Sequence, residues 1–114
     1  MGTFFVRVMG NARGDSLTQV TEEMDRALAQ YPQFKLTEQS IDMWADGLDG
    51  KPRLFDGKLQ FTIIIGGTTE GASFVEVQRK VIRELGRYAA FESKSVTVNA
   101  VVEPVPSIFV QEAK

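Results

Sequence analysis

The spacing of apolar and polar positions changes several times along the chain, and each change marks an element. Residues 3–9, Thr-Phe-Phe-Val-Arg-Val-Met, are β-branched and aromatic and predict a first strand. Gly10 to Asp15, with two glycines and an asparagine, reads as a turn cluster. Leu17, Val20, Met24, Leu28 and Tyr31 then recur at spacings of three and four, which is one face of a helix. Ser16 followed by Gln19 fits a capping box at its start. Pro32 disfavours helix in the residue before it, so the helix should end near Gln30 or Tyr31.

Residues 34–44 predict a second strand with a broken alternation. Phe34 and Leu36 share one parity, and Ile41 and Met43 share the other. A bulge near Gln39-Ser40 would bring both pairs onto one face. Residues 45–57 hold Gly, Asp and Pro and read as a long connection, with a tight turn at Asp49-Gly50. Residues 58–65 alternate cleanly, with Leu59, Phe61, Ile63 and Ile65 on one side. Residues 66–72 read as a loop leading to the capping box Ser73-Glu76. A second helix should run from Phe74 to Tyr88, with Val77, Val81 and Leu85 on its apolar stripe and Val75 and Ile82 widening it. Residues 95–102 predict a last strand, with Val96, Val98 and Ala100 toward the core. Pro104 and Pro106 open a tail, 104–114, in which residues 107–110 suit a short extra C-terminal strand or a segment docking on a sheet edge or a partner.

The order β-α-β-β-α-β, with both helices covering one face of an antiparallel sheet, buries every apolar stripe. It resembles the ferredoxin-like α+β sandwich, here read as a single domain over 1–114. No internal repeat stands out at sequence level, although the two β-α-β halves are similar in plan.

Composition narrows the chemistry. In 114 residues there is no His and no Cys, which removes His- and Cys-based triads, disulfides and cysteine zinc sites from this chain. The net charge of −2 argues against a nucleic-acid partner. No apolar run reaches the roughly 20 residues of a membrane span, and the first residues lack the pattern of a signal peptide, so a cytoplasmic protein with no membrane partner is expected.

Each chemical motif is weak. The third strand lacks the outward aromatics of RNA-recognition domains. Arg13, in a glycine-containing loop before a helix, and Asn99, on a strand, could be cast in the parts that acylphosphatases give to such residues, but the loop spacing differs. Arg13-Gly14-Asp15 matches the integrin tripeptide only as chance allows. Gly66 to Gly71 lacks both the P-loop ending and the dinucleotide spacing. Asp42, Asp46, Asp49 and Asp56 miss the calcium-loop pattern, and no cofactor or metal is expected.

The uncovered sheet face should carry Phe5, Arg7, Met9, Lys58, Gln60, Thr62, Ile64, Thr97, Asn99 and Val101, more apolar than a solvated sheet needs. With Trp44, Leu54 and Phe55 in the connection and Ile108 and Phe109 in the tail, the candidate interaction surface is Phe5, Arg7, Met9, Trp44, Leu54, Phe55, Ile64, Val101, Ile108 and Phe109. The expectation is a non-enzymatic binding or assembly module that self-associates, or a small phage or mobile-element protein docking on a larger protein target. The alternative is a small-ligand-binding regulatory domain. The third reading is a carboxylate- and arginine-based enzyme, such as an acylphosphatase-like hydrolase, drawing on Arg7, Arg13, Glu38, Asp42 and Asn99.

Overall fold

A computed structural model describes residues 2–45 and 50–101. The elements are β1 (Gly2–Gly14), α1 (Leu17–Ala29), β2 (Lys35–Met43), β3 (Leu54–Phe55), β4 (Lys58–Gly71), α2 (Phe74–Leu85) and β5 (Phe91–Ala100). They form an α+β domain with a five-stranded antiparallel sheet in the order β2-β4-β1-β5, to which β3 adds as a hairpin on β4. Among the described residues no helix is long and apolar enough to cross a membrane. The tail segment with Ile108 and Phe109 lies outside the described residues.

The core sits between the sheet and the helices. Val6 and Val8 of β1 and Phe61, Ile63 and Ile65 of β4 lose all contact with solvent, against Val20 and Met24 of α1 and Val77 and Val81 of α2. Both helices start with the same device. Ser16 and Ser73 accept from the amides of Gln19 and Glu76, and the latter side chains reach back to the amides of Asp15 and Ala72. Val75 and Ile82, expected to widen the buried stripe of α2, are instead 53% and 45% exposed.

The two central strands run further than the sequence predicts. Gly10 to Gly14 and Gly66 to Gly71, expected as a turn and a loop, continue β1 and β4, and the two strands pair from Gly2–Gly71 to Gly14–Leu59. The glycines allow this. A Cβ on Gly10 would stand 2.7 Å from the Phe91 ring and still closer to the Glu92 carbonyl oxygen. One on Gly67 would stand 2.7 Å from the Phe34 ring and 2.5 Å from the Lys35 carbonyl oxygen. Each phenylalanine thus lies on a glycine of the neighbouring strand, which a local reading of turn-forming residues misses. The last strand accordingly starts at Phe91 rather than at residue 95.

The bulge expected near Gln39-Ser40 occurs earlier: Leu36 pairs with Gly67 and Glu38 with Gly66, leaving Thr37 as the extra residue. Phe34 is buried, but Leu36 and Met43 stay 44% and 43% exposed. A tight turn forms at Asp56-Gly57, where both residues have positive φ (53° and 76°) and join β3 to β4 as a two-residue hairpin loop. Asp49 of the expected Asp49-Gly50 turn lies outside the described residues.

These features repeat, which corrects the reading that the chain has no internal repeat. Gly10 and Gly67, Gly14 and Gly71, Ser16 and Ser73, Val20 and Val77, Leu28 and Leu85, Tyr31 and Tyr88, and Phe34 and Phe91 are all separated by 57 residues. A second bulge leaves Lys94 unpaired between Ser93 and Ser95, again 57 residues after Thr37. Val8 pairs directly with its own equivalent, Ile65, so the two halves are related by a local twofold through that pair. The repeat escapes a pattern reading because most of its positions match in role, not in residue type.

Gly67→Ala and Gly10→Ala should each lower stability by about 1–3 kcal/mol, the usual cost of overpacking, as read by urea denaturation. Ala in place of the solvent-facing Gly50, where no atom lies within 4 Å of the added Cβ but φ is +70°, should show only the smaller strain of a left-handed residue.

Candidate functional site

Antiparallel register sets the uncovered sheet face out in rows across β2, β4, β1 and β5. They read Lys35–Thr68–Phe5–Asn99, then Glu38–Gly66–Arg7–Thr97, then Ser40–Ile64–Met9–Ser95, then Asp42–Thr62–Asn11–Glu92. Met9 and Ile64 are thus direct neighbours, and Phe5 lies two residues along β1 on the far side of Arg7. Arg7 reaches across β4 to Glu38, with Nε 3.2 Å from Oε1. Gly66 makes the crossing possible, because a Cβ there would stand 2.8 Å from that same carboxylate oxygen. Both partners are about half exposed, so the pair contributes at most about 1 kcal/mol and mainly orients two charges.

The described part of the 44–57 connection folds back on one end of this face. Trp44 Nε1 donates to Thr62 Oγ1 at 2.6 Å, and its ring meets Phe55 edge-on with centroids 5.8 Å apart. Arg13 and Arg53 both lie over the Phe55 ring, and Arg13 also donates to Gln60 and Asp56. Gln60, expected on the open face, is covered there and only 7% exposed. Leu54 and Val101 stay exposed, the latter where its amide donates to the Thr3 carbonyl beside the end of β5.

The residues considered for catalysis do not assemble. Arg7 and Glu38 meet, but Asp42 bonds Ser40. Asn99 pairs with Phe5, eight residues along β1 from Arg13, or about 27 Å at ~3.4 Å per residue. The arginine and asparagine of an acylphosphatase-like site are therefore at opposite ends of the sheet. Among the described residues no three acidic side chains cluster to hold a metal ion.

A second location was missed by sequence reading. Tyr31 and Tyr88 occupy equivalent buried places, 1% and 5% exposed. Tyr31 Oη shares a hydrogen bond of 3.2 Å with Thr69 Oγ1, and Lys80 Nζ lies 5.7 Å from the centre of its ring. The positions equivalent to Thr69 and Lys80 are Ala12 and Glu23. Tyr88 Oη is accordingly buried without a hydrogen-bond partner among the described residues. Burial, and then the neighbouring Glu23 carboxylate, push the phenol from the ordinary value near 10 up to about 12, although the two groups do not meet hydrogen-bond geometry. Tyr88 and Glu23 line two adjoining cavities of about 250 and 330 Å³ beside the α1 C-terminus and the turn before β5. Only the internal repeat could have signalled this place, through the change from Thr69 to Ala12.

No protein-family model and no curated protein matches the chain. Among solved structures it is similar to the solution structure of the C-terminal domain of the MgtC protein from Mycobacterium tuberculosis, with 16% identity, a TM-score of 0.39, and 89% of this chain and 88% of that chain covered.

The two tyrosines should respond oppositely to loss of the hydroxyl. Tyr31→Phe should cost about 1 kcal/mol in urea denaturation, because it leaves Thr69 Oγ1 buried and unpaired, whereas Tyr88→Phe should be neutral or stabilising by a similar amount. The folded state holds the Tyr88 proton more tightly than the unfolded chain. Its contribution to stability should therefore be complete below about pH 10 and fall as pH rises toward about 12. A pH series of denaturation curves should show that component in the wild type and not in Tyr88→Phe.

Proposed function

We propose that this chain is a non-enzymatic assembly module of ferredoxin-like type that pairs with a second copy of itself through the uncovered sheet face. The strand order, with β2 and β5 outermost and both crossover helices packed into one core, supports the ferredoxin-like reading. The observation that carries the function is the apolar group Phe5, Met9 and Ile64 around the Arg7–Glu38 pair on a face that neither α1 nor α2 covers.

Charge favours a second copy over an acidic or basic partner. Lys35, Arg7 and Arg13 share the face with Glu38, Asp42 and Glu92, so its signs are mixed and can complement themselves across a twofold axis. Four strands about 4.8 Å apart and four rows about 6.8 Å apart give a footprint on the order of 500 Å². Doubled across a twofold, that is about 1,000 Å², the lower bound of a specific interface. The cavities beside Tyr88 favour a second reading, a small-ligand-binding regulatory domain, whose ligand would supply the hydrogen bond that Tyr88 Oη lacks.

Sedimentation equilibrium checks the pairing. The wild type should be dimeric at micromolar concentration, and Ile64→Lys should be monomeric with an unchanged circular-dichroism spectrum. A wild type that is monomeric at high micromolar concentration, or an Ile64→Lys variant that stays dimeric, contradicts it.

A further inference from the structure

We propose that the cavity beside Tyr88 is a binding site for a free amino acid, whose ammonium group takes, against the Tyr88 ring and Glu23, the place that Lys80 takes against Tyr31. The site is on the helix side of the sheet, apart from the face proposed for pairing, and the proposal deepens the ligand-binding reading by naming the ligand's class.

The chain's own other half is the template. There, a primary ammonium sits 5.7 Å from the centre of the Tyr31 ring, and the phenol oxygen is bonded to Thr69. Position 23 carries a carboxylate where the equivalent position 80 carries an ammonium. The Tyr88 half therefore lacks the cation and holds instead the countercharge that a cation from outside needs. The phenol oxygen, buried and unpartnered, can accept from that ammonium once the Glu23 side chain turns toward the ligand.

The far end of the ligand is set by Arg26. Arg26 lines the same cavity and makes no hydrogen bond or ion pair among the described residues, whereas Arg87 beside it is taken up by Glu84 and Gln30. One anion, beside the Tyr88 phenol, and one cation along one cavity suit a zwitterion: Glu23 repels a simple carboxylate, and Arg26 repels a simple amine. A volume of about 250 Å³ exceeds the roughly 30 Å³ share of one water several-fold, enough for a small amino acid.

The full chain should be titrated with the L-amino acids one by one, with n-butylamine and acetate as single-charge controls, by calorimetry and by amide NMR. At least one amino acid should bind saturably and move the amide signals of residues 23–30 and 87–90, and both controls should bind at least about tenfold more weakly. Glu23→Gln and Arg26→Gln should each weaken binding about tenfold or more, while Lys80→Gln in the other half should leave it unchanged. Absence of amino-acid binding at millimolar concentration overturns the proposal. So does n-butylamine or acetate matching the best amino acid, or binding unaffected by both cavity variants. Thermal stabilisation by a nucleotide or a sugar phosphate but by no amino acid would overturn the amino-acid assignment and leave a ligand-binding domain standing.

Discussion

The long antiparallel pairing of β1 with β4 is the constraint from which the rest follows. It runs through the centre of the sheet and is flanked by β5 on one side and β2 on the other. Its length depends on Gly10 and Gly67, where a side chain would collide with Phe91 and Phe34. Each phenylalanine begins or precedes the outer strand that pairs beside it, so the same contact sets where β2 and β5 enter the sheet. Because Val8 faces Ile65, its own equivalent, the sheet has two like ends, and each helix start is capped in the same way.

Near-symmetry of this kind makes departures from it informative. The helix-side core keeps Tyr31 and Tyr88 in matching places but changes what surrounds them: Thr69 becomes Ala12, and Lys80 becomes Glu23. A buried hydroxyl with no partner costs about 1–3 kcal/mol. A chain that keeps such a group where a phenylalanine would fit carries a cost that packing does not explain. On the open face the departures are of another kind. Met9 stands opposite Ile64, and the one row that crosses Gly66 is bridged by Arg7 and Glu38.

Much of the architecture was legible because the apolar periods were clean. The alternation from Leu59 to Ile65 and the helical spacing from Leu17 to Tyr31 each correspond to an element of the structure. The caps at Ser16 and Ser73 were visible for the same reason, a short-range chemical pattern with one purpose. The glycine segments misled, since Gly10–Gly14 and Gly66–Gly71 have the composition of turns and are strand because of rings that arrive from 33 residues away at Gly67 and 81 at Gly10. The position of the bulge at Thr37 depends on that same distant fit. Of the open face, Phe5, Met9 and Ile64 could be placed by parity alone. The tyrosine cavity could not, because nothing local distinguishes a satisfied buried phenol from an orphaned one.

Native-state hydrogen exchange would read the β1–β4 pairing residue by residue. If β1 and β4 pair through their glycines, the amides of residues 10–13 should exchange nearly as slowly as those of residues 4–8, and residues 66–69 nearly as slowly as 61–65. Exchange of residues 10–13 and 66–69 at the rate of an exposed loop, with protection ending at Met9 and Ile65, would contradict the account.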